Sequence, residues 1–309
     1  MFKIIITLLI ILLLPVYVFA GYNKPGGTIG QFMAVGISAR AASLGEAIIA
    51  NVNDISAIYY NPGAMINIEN WDALFTHTWY PADVSMAFMG LGRHISQNQV
   101  VALSITSLYT DEMVVRTQLQ PEGTGETFYC VNYMAALGFS SYLTDRFSFG
   151  VNAKFIHLGY WSGKFNSNSW GIDVGALFRS GIQGLNIGVA INNLGPDIKV
   201  INESYNITTS FNAGISADIL KSDYHNLSVM TSWNKPESGE EKAALGFEYD
   251  FKKFLFARSG YKFNHDTESW SFGIGMMQSI NKVKITADYS YSDFNVLPDI
   301  QRISIGFIF

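Results

Sequence analysis

The residues able to do chemistry are scattered along this chain, not grouped. His77, His94, His157, His225 and His265 lack metal-ligand spacing, and neither a Gly-x-Ser-x-Gly elbow nor a His-Glu-x-x-His helix occurs in the 309 residues. Cys130 is the single cysteine, so no internal disulfide framework exists, and an isolated thiol reads as inert. The chain is expected not to be an enzyme and to need no cofactor or metal. The enzymatic alternative is an acyl-hydrolase that assembles Ser and His from adjacent strands without a local motif. One cation does stand out. Arg40 is the only Arg or Lys between Pro25 and Gly92. If enclosed, its guanidinium needs an acid, and Glu46, Asp54, Asp173, Asp218 or Glu248 can supply one; otherwise Arg40 points into water.

The elements that must carry these residues are set by composition and period. Only 15% of the chain is charged, against roughly 25% in soluble domains, while 49% is hydrophobic and 14% aromatic. A net charge of -5 leaves no basic field to hold nucleic acid. Residues 1-20 read as a secretory signal peptide, with Lys3, an apolar run from Ile4 to Leu14 and a Val18-Phe19-Ala20 cleavage site. That run is short for a membrane anchor of about 20 residues, and Pro15 breaks it from the apolar residues beyond. An exported, apolar chain without another long apolar stretch fits a membrane β-barrel, whose strands are apolar toward lipid and polar toward the lumen.

The alternation is visible directly. Val283, Ile285, Ala287, Tyr289 and Tyr291 share one face while Lys282, Lys284, Thr286, Asp288 and Ser290 share the other, and Trp170 to Phe178 and Phe211 to Ile219 repeat the pattern. Breaking at turn residues predicts strands at 71-81, 84-95, 98-110, 127-143, 146-161, 168-180, 184-194, 208-220, 225-235, 241-252, 254-264, 269-280, 282-292 and 301-309. The expected fold is an all-β, 14-stranded antiparallel outer-membrane barrel over 71-309, located in the outer membrane of a Gram-negative-type bacterium. Long connections at 111-126, 195-207 and 293-300 all come after odd strands and so face outward, and Trp79, Trp161, Trp170, Trp233 and Trp270 fall at the same strand ends. The last strand ends on Phe307 and Phe309, a terminal aromatic resembling the signal read by the barrel-assembly machinery.

Residues 21-70 do not alternate and are expected to form a short helical hatch in the lumen, which side chains alone would not fill. Ser43-Leu44-Gly45-Glu46 has capping-box spacing, predicting a helix start there. Asp54 can cap a turn through Tyr59, and Asn61-Pro62 offers an N-cap with proline in the first turn.

Ser38-Ala39-Arg40-Ala41-Ala42-Ser43-Leu44-Gly45-Glu46-Ala47, Asn53-Asp54 to Asn61-Pro62, His77-Thr78-Trp79 and the stretch Met113 to Thr127 together resemble the PorV/PorQ family of outer-membrane proteins. That family is similar in fold to the FadL fatty-acid transporters, whose hatch carries Asn-Pro-Ala; here the third position is Gly63. The resemblance implies a protein-binding component of a type IX-like secretion or surface-attachment system, whose partners are secretion components and exported cargo. The outer loop with Asp111, Glu112, Glu122, Gly123, Gly125 and Glu126 is the expected contact. Outer-membrane lipid and lipopolysaccharide are further expected partners, the latter through divalent cations on an acidic rim. The alternative function is passive transport of hydrophobic small molecules, with Met86, Met89, Met276 and Met277 suggesting an apolar track.

Overall fold

A computed structural model describes residues 26-182 and 184-309. The signal peptide expected at 1-20 lies outside the described residues. Among the described residues no helix is long and apolar enough to cross a membrane; crossing is left to strands.

Fourteen strands close into one barrel. They are β1 (Trp71–Tyr80), β2 (Val84–Ser96), β3 (Gln99–Thr110), β4 (Val131–Thr144), β5 (Phe147–Tyr160), β6 (Phe165–Arg179), β7 (Asn186–Leu194), β8 (Ser210–Lys221), β9 (His225–Pro236), β10 (Lys242–Phe251), β11 (Leu255–Phe263), β12 (Trp270–Ile280), β13 (Val283–Ser292) and β14 (Ile300–Ile308). Every neighbour is antiparallel and consecutive. β14 pairs back onto β1 from Gln301 opposite Trp79 to Ile308 opposite Asp72, which removes the open edge that an isolated sheet would expose.

Period-two alternation sorts the side chains. Phe75, Met89, Leu103, Ile105, Leu137 and Ile274 are exposed on the outside, whereas Asp72, Thr76, Thr78, Asn152, Asp173 and Arg302 are buried inside. An apolar exterior around a polar, filled lumen is the arrangement of a transmembrane barrel of the outer-membrane type. Apart from residues 180-185 after β6, turns after even strands are two or three residues long. Lys252 and Lys253 both take left-handed φ values, 56° and 51°, as a two-residue hairpin requires.

The boundaries differ from the sequence expectation most at the outer end of β4. Thr127–Phe128 pairs with Met113–Val114 as a separate hairpin above the barrel, so β4 begins at Val131 and not at 127. Cys130 therefore sits half-buried between the two, bonded through its backbone to Thr110, and not on a lumen-facing strand position.

Inside the barrel, residues 26-70 carry two short α-helices, α1 (Ala39–Ser43) and α2 (Ala57–Tyr60), and 3-10 turns at Gln31–Ala34 and Pro62–Asn67. Their apolar side chains, Leu44, Ile48, Ile55, Ile58 and Met65 among them, are fully buried against the inner wall. The segment enters from the outer end. Thr28–Ile29 pairs in parallel with Asn206 and Ile207 of a small hairpin in the β7–β8 connection. From there the chain descends through the lumen and joins β1 on the periplasmic side.

Candidate functional site

The lumen segment is held on two walls by different chemistry. On the β10–β13 wall, Arg40 is 6% exposed and clamps Glu248 of β10 with two parallel bonds, Nε to Oε2 at 2.8 Å and Nη2 to Oε1 at 2.9 Å. Its Nη1 donates to the Asn51 carbonyl and to Asn53 Oδ1. Glu248 also accepts from Arg258 Nε at 2.6 Å, and Arg258 Nη1 reaches Asp288 Oδ1 at 2.5 Å. Four charges thus alternate in sign, three buried and Asp288 half-buried, and each group is hydrogen-bonded, the condition under which buried ions are tolerated. Of the other four carboxylates named as partners for Arg40, Asp173 pairs with Lys154 at 2.6 Å, Asp218 accepts from Ser228 at 2.8 Å, Asp54 Oδ1 accepts from Ser56 N at 2.8 Å, just ahead of α2, and Glu46 has both carboxylate oxygens buried without a hydrogen-bond partner among the described residues.

The local structure that presents Arg40 departs from the capping-box expectation. Ser38, not Ser43, caps α1, its Oγ accepting from Ala41 N, and Ser43 is the last helical residue, donating to the Arg40 carbonyl at 2.7 Å. Gly45 and Glu46 come next with φ of 65° and 67°. Two consecutive left-handed residues end a helix and cannot begin one. The reason lies in the wall: a Cβ on Gly260 would lie 2.2 Å from Gly45 N, so backbone packs on backbone there.

On the β4–β6 wall the grip is steric. Asn61 Oδ1 accepts from Gly63 N at 3.0 Å and opens the 3-10 turn with Pro62 in its first turn, while Nδ2 donates to the carbonyls of Ile49 and Ala176. The turn lies against lumen-facing glycines: a Cβ on Gly150 would come 2.2 Å from the Pro62 carbonyl, and one on Gly175 would meet Asn61 Oδ1 at 2.2 Å. Gly63 does not use a left-handed φ. It is there for space, since its Cβ would lie 2.7 Å from Ala176 Cα. The glycine lets the turn seat closely against β6.

Above this floor lies a lumen cavity of about 420 Å³. Its walls are the outer ends of strands: Asn192, Asn212 and Asn234 on β7–β9, Lys242, Lys262 and Arg302 on β10, β11 and β14, with Met33, Ile49, Tyr59 and Tyr60 beneath. The asparagines form a row, Asn234 Nδ2 donating to Asn212 Oδ1 and Asn212 Nδ2 to Asn192 Oδ1. Tyr59 and Tyr60 fix the floor, the first donating toward the carbonyls of Met33 and Val35, the second accepting from Ile37 N. The methionines do not form a track here: Met86 is buried inside, whereas Met89 and Met276 face outward. His265 lies over the cavity in the β11–β12 connection. Burial first, and the charges of Lys262 and Lys242 after it, push its imidazole down to about 3, so it is neutral at physiological pH.

The outer stretch 111-126 is folded. Val115 N donates to the Glu126 carbonyl and Thr124 N to the Val115 carbonyl, with Gly123 and Gly125 at positive φ and Asp111, Glu112, Glu122 and Glu126 exposed. At the periplasmic end, Phe309 exchanges two backbone bonds with Trp71, N to O at 3.1 and 3.0 Å, and Phe307 and Phe309 both project outward. Sequence reasoning missed Arg258, Asp288 and Arg302. Alternation marks them as lumen-facing, but nothing local says which lumen charges meet.

No family model and no curated protein matches this chain. Solved structures do match over nearly all of it. The Pseudomonas putida toluene transporter TodX superposes with a TM-score of 0.62 at 10% identity, covering 92% of this chain and 98% of that one. The fold is the FadL fold. A Pseudomonas aeruginosa FadL homologue gives 0.57 at 12% identity over 93% and 99% of the two chains. The Ralstonia pickettii toluene transporter TbuX gives 0.60 at 12% identity over 88% and 97%. A FadL fold accounts for the fourteen strands with a lumen segment inside them; the Arg40–Glu248 ion network, the glycine seat and the outer cavity, or vestibule, are read from this chain's own residues.

Proposed function

We propose that this protein is a FadL-like passive transporter of small molecules in the outer membrane, taking hydrophobic or part-hydrophobic solutes into the outer vestibule and releasing them past the hatch. The observation that carries this reading is the vestibule itself: a cavity of about 420 Å³ open to the outer strand ends and floored by a segment that is seated on both walls and enters from above. A floor of Met33, Ile49 and Tyr59 suits an apolar body. The whole-length likeness to transporters of toluene supports the same reading. The test is uptake of labelled toluene by cells with and without the protein. Protein-dependent uptake supports transport; equal uptake in both, with the barrel shown folded by its heat-dependent gel shift, overturns it.

A second reading, a PorV/PorQ-like component that binds proteins at the cell surface, is favoured by one observation. The hairpin rising over 111-126 holds Leu119 94% exposed, with Val114 also exposed below it. An apolar side chain on a folded outer loop suits protein contact. Affinity capture with and without residues 115-125 tests it: recovery of secretion components that depends on the loop supports this reading, and their absence removes it.

A further inference from the structure

Three asparagines on the vestibule wall form a chain that runs in one direction. Asn234 Nδ2 donates to Asn212 Oδ1 at 2.6 Å, Asn212 Nδ2 to Asn192 Oδ1 at 2.9 Å, and Asn192 Nδ2 to the Tyr59 carbonyl of α2 at 3.0 Å. The hatch sets that direction. A backbone carbonyl can only accept, so Asn192 must turn its amide nitrogen to Tyr59 and its oxygen to Asn212, and each amide behind it follows. Asn234, half-buried on the cavity wall, is left at the far end with a side-chain oxygen that accepts no hydrogen bond from any described residue. An amide that gives its N–H to a neighbour gathers negative charge on its own oxygen, so the chain strengthens that last acceptor.

The charges of the cavity are matched or closed off. Glu268 holds Lys262, and Asp173 holds Lys154. Glu46 and Arg302 line the cavity with opposite sign, but the Glu46 carboxylate oxygens and Arg302 Nε and Nη1 are enclosed, and Arg302 Nη2 is given to the Tyr80 hydroxyl at 2.8 Å. Lys242, half-buried at the start of β10, opposes a cation. We propose that the vestibule selects uncharged hydroxylated aromatics, the ligand's hydroxyl donating to Asn234 Oδ1 and its ring lying over Met33, Ile49 and Tyr59. A hydrocarbon of the same shape covers the floor but leaves the oxygen unbonded, and a carboxylate brings acceptors where an acceptor already stands. The inference rests on the transporter reading and names the class of solute that its cavity takes.

The probe is 4-methylphenol, compared with 4-methylanisole, whose ether oxygen accepts but cannot donate, and with 4-methylbenzoate, by calorimetry on the detergent-solubilised full chain with the heat of titration into empty micelles subtracted. Wild type is expected to bind the phenol about fivefold more tightly than the ether, the value of one neutral hydrogen bond. Asn234→Leu should remove that preference while the barrel keeps its heat-dependent gel shift. Equal or tighter binding of the ether by wild type overturns the proposal whether or not the variant folds. Tighter binding of the benzoate overturns the uncharged class, and a preference that survives in Asn234→Leu overturns the role of Asn234. Protein-dependent toluene uptake with no preference for the phenol would leave transport standing and sink this inference. Phenol preference without uptake of either compound would keep the site and remove transport.

Discussion

The two walls that hold the lumen segment solve one problem with opposite physics. At the β10–β13 wall α1 is fixed by charge: Arg40, Glu248, Arg258 and Asp288 neutralise one another in sequence. At the β4–β6 wall the Asn61–Pro62–Gly63 turn is fixed by shape, fitted against Gly150 and Gly175 with no ionised group in the contact. A buried ion network is strong only while complete, because removing one member leaves another charge uncompensated. A steric seat degrades more gradually, in proportion to the volume that no longer fits. The charged wall is therefore the one a perturbation should release first, and the glycine wall the pivot that stays.

Breaking the charged wall should have the largest effect. Arg40→Ala is expected to cost about 3 kcal/mol, the low end for a broken buried pair because Arg258 still faces Glu248. Limited proteolysis at 30-55 should become fast while the barrel keeps its heat-dependent gel shift. Replacing both partners, Arg40→Met with Glu248→Met, should recover much of the protection, since an apolar pair leaves no orphan charge there. A double variant as sensitive as the single one would show that the wall is held by something other than this pair.

The steric wall should respond to added volume. Gly63→Ala puts a methyl 2.7 Å from Ala176 Cα and is expected to cost about 1-3 kcal/mol. Proteolysis should shift toward 58-68, whereas Arg40→Ala should leave that stretch protected. Asn61→Ala, which loses the turn cap and two further bonds, should cost about 1-2 kcal/mol at the same place. Identical cleavage maps for the Arg40 and Gly63 variants would collapse the distinction between the walls.

Deleting Phe309 removes a residue that lies on neither wall and closes the seam against Trp71. Outer-membrane yield on fractionation should fall, while barrels that do assemble should keep their hatch protection. The smallest expected effect is at His265. Its folded-state value near 3 lies below the unfolded 6.5, so the folded loop stays neutral while an opened loop takes a proton. Order in 264-269 should be full above pH 6.5 and weaken as pH falls from there toward 3. Amide exchange of that loop measures it, and His265→Gln should flatten the slope.

How much of this was legible in the chain divides along physical lines. Strand count, the inside and outside faces of Trp170 to Phe178, the asymmetry of long outer and short periplasmic connections, and the antiparallel closure all come from period-two alternation and turn residues. These are local rules, and a lipid exterior enforces them at every strand. Ser38, not Ser43, as the cap of α1 was not legible. Capping-box spacing at Ser43 is a local signal too weak to survive a wall that requires Gly45 and Glu46 to turn left-handed against Gly260. The sequence isolated Arg40 as a cation in need of an acid and named Glu248 among five candidates. Only the closed barrel chose Glu248 and added Arg258 and Asp288, because partners 208 residues apart meet through strand register and hatch placement, which no local pattern encodes. For the same reason the vestibule, its asparagine row and the half-bonded Arg302 belong to the tertiary structure alone: each lumen-facing position is written in the alternation, but which of them share a cavity is set by where the hatch stops.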